Sequence, residues 1–155
     1  MSARINKRKD NKKKILVVED EPDMTMVITH FLQYAGYEVL TAANGEEGLE
    51  KTTSGKPDLI LSDTQMPVMN GWEMLEELRK QPGARHIPVI MVTGRYEKYD
   101  IATACRYNIT DYVAKPFDPS LLLEKISDIF ASNRRQRTKA EDAELTENRV
   151  GEAVR

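Results

Sequence analysis

The chain has 155 residues, 40% hydrophobic and 6% aromatic, which suits a single α/β domain with a real core. No run approaches the roughly 18 apolar residues of a membrane span, no apolar signal-peptide core follows the basic start, and the lone Cys105 cannot form an internal disulfide; the reading is cytoplasmic, with no membrane insertion. The net charge of −2 divides into +6 over residues 1–14, +1 over 132–155 and −9 over 15–131, a body too acidic to favour nucleic acid and better suited to a divalent cation.

In chain order, residues 1–14 are polar and basic without apolar periodicity, and predict a disordered arm. Ile15–Val18 predicts a first strand. Met24, Val27, Ile28, Phe31, Leu32 and Ala35 fall at helical spacing, with Pro22 suited to the first turn and Gly36 as the stop. A second strand follows at Glu38–Ala42, then a helix near Gly45–Thr53, broken by Gly55-Lys56-Pro57. Asp58–Ser62 predicts the third strand. Asn70-Gly71 opens a helix carrying Trp72, Leu75 and Leu78 that ends near Pro82-Gly83. Pro88–Thr93 is the fourth strand, Lys98–Tyr107 a weaker helix, and Asp111–Ala114 the fifth strand. Asp118 or Ser120 caps a last helix whose apolar face is Leu122, Ile126, Ile129 and Phe130.

Strands that alternate with helices predict a doubly wound, five-stranded parallel sheet with helices on both faces, the flavodoxin-like class. The domain is expected over 15–131, followed by a charged tail at 132–155 that either extends the last helix or stays loose.

Four of these apolar runs end on polar residues: Glu19-Asp20-Glu21, Asp63, Thr93 and Lys115-Pro116. Ligand sites of open α/β sheets collect beyond the carboxyl ends of the strands, so these groups are expected to meet at one rim. Asp20 and Asp63 offer hard oxygen ligands of the kind Mg2+ requires, with Glu19 assisting. A divalent cation relieves repulsion among three carboxylates and neutralises charge during transfer to an anionic nucleophile. Lys115 and Thr93 suit the oxygens of a phosphoryl group. The chemistry is that of aspartyl-phosphate formation.

With ILVVEDEPDM, LILSDTQMPVMNG, VIMVTG and DYVAKPF in this order, the chain resembles the receiver domain of the two-component response regulators (CheY-like) over about residues 15–131. The separations from Asp20 to Asp63 to Thr93 to Lys115 are 43, 30 and 22 residues, similar to the family's. The resemblance implies phosphorylation at Asp63 by a histidine kinase or histidine phosphotransfer protein, a Mg2+ requirement, and the backbone carbonyl of Gln65 as a further metal ligand. It also implies Thr93 and Tyr112 as switch residues and a cis Lys115-Pro116 bond. Output would pass to a downstream effector protein through the surface of the fourth helix, fifth strand and last helix. Side chains at Gln65 and Arg95 tune dephosphorylation in the family. The bulky Arg95-Tyr96 after Gly94 departs from its commoner pattern. The expectation is a stand-alone signalling switch that catalyses only its own phosphorylation and dephosphorylation.

Plainer readings compete at single positions. Asp20 and Asp63 alone would be solvated loop acids, Thr93 a loop cap, Lys115 a surface lysine and Tyr112 a strand aromatic. His30 and His86 lack metal spacing, Cys105 reads as a small apolar contact, and Trp72 as a helix anchor. The rival functions are a nucleic-acid regulator using the basic arm, a phosphatase or phosphotransferase, for which every loop is too short to build a substrate cap, and a receiver-like module that has lost phosphorylation, which the complete residue set disfavours.

Overall fold

A computed structural model describes residues 12–94 and 105–153. Most of the expected arm and the segment from Arg95 through Ala104, which includes Tyr96 and most of the weak fourth helix, lie outside the described residues. The described residues divide into two compact units, the first ending at Pro119 and the second beginning at Ser120.

The first unit carries five strands, β1 (Lys14–Val18), β2 (Glu38–Ala42), β3 (Leu59–Asp63), β4 (Val89–Thr93) and β5 (Asp111–Ala114), all parallel in the order β2-β1-β3-β4-β5. This is the flavodoxin-like order, and its direction reverses between β1 and β3. The central strands β1, β3 and β4 are buried on both faces, which explains why they read as unbroken Val/Ile/Leu runs rather than alternating ones. β1 starts at Lys14, inside the expected arm, because the Lys14 N–H donates to Asp58 Oδ2 at 2.8 Å and its ammonium reaches the Gly55 carbonyl at 2.9 Å. β3 is shifted one residue later than the sequence suggests, so that Asp63 is its last residue.

Helix α1 (Pro22–Tyr34) turns Ile28 and Leu32 into the core and leaves Val27 half exposed. Helices α2 (Gly45–Gly55) and α3 (Gly71–Lys80) start on matching caps: Asn44 accepts the Glu47 N–H and Asn70 the Glu73 N–H, each at 2.9 Å. Right-handed crossovers place α1 on one face and α2 on the other. On the second face Met74, Leu75 and Leu78 of α3 join Leu16, Val18, Ile60, Val89 and Met91 in a single cluster, where each fully buried side chain contributes roughly 1.5–3 kcal/mol. Trp72 packs against Tyr107 with ring centroids 5.3 Å apart. That contact anchors the helical turn at 105–107 through Tyr107 and leaves Cys105 exposed, so the expected packing role for Cys105 is wrong.

At the edge where the strands begin, Arg79 of α3 donates to the carbonyls of Arg85, Ile87 and Asn108 at 2.8, 3.0 and 2.9 Å. One guanidinium thereby ties the connection into β4 to the connection into β5.

In the loop after β3, Val68 has φ +67°, and the Met69 N–H donates back to the Pro67 carbonyl at 2.7 Å. A β-branched residue in this region is strained, and Val68, 74% exposed, gains little burial in return. Val68→Gly is expected to stabilise the protein by about 0.5–1 kcal/mol, seen as a higher urea midpoint at unchanged slope.

The second unit is one helix that, with its first residue Pro119 included, runs Pro119–Ala153. Leu122, Ile126 and Phe130 form its buried stripe, whereas residues 132–147 are all exposed. Among the described residues no helix is long and apolar enough to cross a membrane.

Candidate functional site

The parallel register sets the strand ends level. Val18 lies opposite Ser62, Asp63 opposite Val92, and Thr93 opposite Ala114. Glu19, Asp20, Asp63, Thr93 and Lys115 therefore share the rim at the reversal of strand order, where the sequence reading expects them.

The carboxylates converge. Glu19, Asp20 and Asp63 each present an oxygen within 4.8 Å of the others. Glu19 is 3% and Asp63 7% exposed, so their charges are poorly solvated. The Lys115 ammonium bridges them, 3.0 Å from Glu19 Oε2 and 3.2 Å from Asp63 Oδ2. Three carboxylates against one ammonium leave an excess of negative charge around two nearly buried carboxylates. The donors are all hard oxygens, and both the charge and the donor type fit Mg2+.

Burial, with a contribution from the Asp63 charge, raises the Glu19 carboxyl to about 6 despite its hydrogen bond from Lys115. Burial opposes the charge on Lys115, but the Glu19 hydrogen bond and the charges of Asp63 and Glu19 outweigh it and raise the ammonium. A carboxyl raised on folding costs nothing below its unfolded value near 4.5 and destabilises once ionised above about 6. The metal-free protein is therefore expected to lose on the order of 2 kcal/mol as pH rises from 4.5 to 7. Urea titrations in EDTA would show this loss, and it should shrink in Glu19→Gln or on adding Mg2+.

The backbone positions these groups. The Glu19 N–H donates to the Ala42 carbonyl at 2.9 Å and the Lys115 N–H to the Thr93 carbonyl at 2.8 Å, which extends the ladder to the rim. The peptide bond from Lys115 to Pro116 is cis. The Gln65 N–H donates to Asp63 Oδ1 at 3.3 Å, which sets the residue-65 backbone against the carboxylate. Thr93 is 4% exposed, and its hydroxyl makes only a long 3.5 Å bond to the Val113 carbonyl. Tyr112 sits on the edge strand β5, 38% exposed. His30 and His86 are exposed, and neither belongs to the carboxylate cluster.

Two supports escape a sequence reading. The Ser62 hydroxyl donates to the Asp63 carbonyl at 2.9 Å. A Cβ on Gly71 would stand 2.1 Å from that same carbonyl oxygen, so only glycine lets α3 start against the back of Asp63. The Asn70-Gly71 pair signals a helix start but not this approach.

The model of the response regulator receiver domain matches residues 15–127. The chain is 35% identical over 133 residues to PhoP, the alkaline phosphatase synthesis transcriptional regulatory protein of Bacillus subtilis, covering 86% of this chain and 53% of PhoP. It is 34% identical over 122 residues to the chemotaxis protein CheY1 of Helicobacter pylori, covering 77% of this chain and 98% of CheY1. The chain thus spans about half the length of PhoP and of several other curated relatives. Among solved structures, the receiver domain of the sensor histidine kinase PA1611 from Pseudomonas aeruginosa superposes with a TM-score of 0.67 at 32% identity, over 73% of this chain and 93% of that one. That protein holds a magnesium ion coordinated in its active-site cleft. This chain belongs to the response regulator receiver domain family of two-component signalling.

Proposed function

We propose that Asp63 is the phosphoacceptor of a Mg2+-dependent signalling switch, charged by the phosphohistidine of a histidine kinase or histidine phosphotransfer protein. The observation that carries this reading is the Lys115 ammonium held between Glu19 and Asp63 at the reversal of the sheet. An Asp63 carboxylate oxygen attacks phosphorus, the P–N bond to the donor histidine breaks, and its electron pair stays with the departing imidazole. Asp20, Asp63 and the Gln65 carbonyl would hold Mg2+, with Glu19 beside them. When bound, the ion supplies charge neutralisation for an anion meeting an anion; the magnesium of the PA1611 receiver supports this choice.

Lys115 then exchanges its contact with the Asp63 carboxylate for a phosphoryl oxygen. Thr93, whose hydroxyl has so weak a bond to give up, turns to another. Movement of Thr93 lets Tyr112, one strand away, rotate inward and change the surface offered to a downstream effector protein. Hydrolysis of the acyl phosphate by water returns the switch, with Gln65 and Arg95 setting its rate. A cytoplasmic setting fits the exposed, unpaired Cys105. Nothing in the comparisons favours the rival reading of the basic arm as a nucleic-acid-binding element, and the acidic body speaks against it.

The test is incubation with Mg2+ and acetyl phosphate followed by intact mass. A gain of one phosphoryl group that is absent in Asp63→Asn and absent in EDTA is the expected result. Phosphorylation that survives Asp63→Asn at full extent would refute the assignment.

A further inference from the structure

We propose that Gly45, the first residue of α2, is a positioning residue for the loop after β3 and thereby for the cation at the rim. The observation is a run of close approaches built on two Asn-Gly pairs. Asn44 and Asn70 each cap a helix, and each is followed by a buried glycine at the first helical position. Gly71 lies against the Asp63 carbonyl. Gly45 lies against the far end of the same loop. Its N–H donates to the Met69 carbonyl at 2.9 Å. A Cβ at Gly45 would stand 2.7 Å from that oxygen, 2.8 Å from Met69 Cγ and 3.1 Å from the Asn70 carbonyl oxygen. Residues 64–70 are therefore gripped at both ends, by the start of α3 on Asp63 and by the start of α2 on Met69.

The ends of this loop have little freedom. The Thr64 N–H donates to the Val92 carbonyl and the Gly71 N–H to the Thr64 carbonyl, both at 3.1 Å, and Met69 packs against the core cluster that holds Met74 and Leu75. Between the ends, Gln65, Pro67 and Val68 are exposed. A methyl group at position 45 would crowd backbone rather than a flexible side-chain tip, so the Met69 carbonyl must give way by a few tenths of an ångström. Retreat of α2 instead would draw Gly48 away from Val18 and Met74, against which it packs closely. The exposed stretch is the part that yields, and the displacement runs back toward Gln65. This role rests on the proposed function, in which the Gln65 carbonyl is a Mg2+ ligand. A small shift of one ligand matters to Mg2+, which demands near-ideal octahedral geometry, and matters little to Ca2+, whose coordination is looser. Glycine at position 45 thus helps to set which cation the rim prefers, without touching it.

Calorimetric titration of the full chain with MgCl2 and, separately, with CaCl2 tests this. Gly45→Ala is expected to weaken Mg2+ binding about tenfold and Ca2+ binding by no more than about twofold. Gly55→Ala, at the other end of the same helix, is the control. Its Cβ would meet only the Leu40 side chain, so it should lower the urea midpoint yet leave both affinities at the parent values. In phosphorylation by acetyl phosphate, the Mg2+ concentration for half-maximal rate should rise about tenfold in Gly45→Ala, with the rate at saturating Mg2+ within about twofold of the parent. Asn44→Ala removes the side-chain cap of α2 and loosens its first turn without adding an atom at position 45. It should weaken Mg2+ binding about threefold, and it carries the test if Gly45→Ala does not fold. Parent-like Mg2+ binding in the folded variant, or equal losses of Mg2+ and Ca2+ affinity, would overturn the proposal while leaving the phosphoacceptor assignment standing. A parent chain that binds no Mg2+ would overturn the Mg2+-dependent reading of the site and this proposal with it.

Discussion

Lys115→Met is expected to lower the rate of phosphorylation from acetyl phosphate by roughly 10²–10³-fold, the usual cost of losing one preorganised charge donor at a transfer site. Lys115 is the only cation among the described residues within ion-pair distance of Glu19 or Asp63. Methionine keeps much of the stem volume and removes only the charge. The same variant should be less stable than the parent by about 3 kcal/mol in EDTA, because a nearly buried carboxylate pair is left without its counter-ion. Added Mg2+ should recover most of that stability while the rate remains low. If Mg2+ recovered the rate as fully as the stability, Lys115 would be a structural counter-ion alone.

The second large effect has opposite signs for function and for fold. Asp63→Asn removes the nucleophile, so phosphoryl uptake should be lost altogether. Yet the metal-free variant should be more stable than the parent at pH 7.5 by about 1–2 kcal/mol, since one of three crowded carboxylates becomes neutral. The Asp63 charge helps to raise the Glu19 carboxyl, so in this variant the loss of stability with rising pH should also be smaller. Urea unfolding at pH 5 and pH 7.5, with and without Mg2+, measures all of this. A variant that is less stable than the parent in EDTA would mean that the Lys115 bond outweighs the repulsion.

The rim was readable in the sequence because buried parallel strands must be apolar throughout, so that a polar residue at the end of such a run announces itself. Ile15–Val18 before Glu19-Asp20, and Leu59–Ser62 before Asp63, follow that logic, and the topology follows from the alternation of elements. Strand ends were displaced by a residue where a polar side chain joins the ladder, as Lys14 does through Asp58. What depends on approach between distant segments left no trace in the pattern. The space at Gly71 is set by the Asp63 carbonyl, and the place of Cys105 by the tilted contact of Tyr107 with Trp72. The course of residues 132–153 was open for another reason: with apolar periodicity lost after Phe130, a charged run reads equally as coil or as solvated helix.

The three carbonyls gathered by Arg79 have a dynamic consequence. At the foot of the sheet one side chain holds two connections at once, whereas the opposite margin includes an exposed strained turn and a threonine hydroxyl with hardly a bond to lose. Parting those two connections requires breaking the three Arg79 bonds together, whereas turning the Thr93 side chain gives up one long bond. Amide protons should accordingly exchange with deuterium along a gradient within each strand, slowest near Val89 and fastest toward Thr93. Signalling motions would then be confined to one border of an otherwise stiff plate.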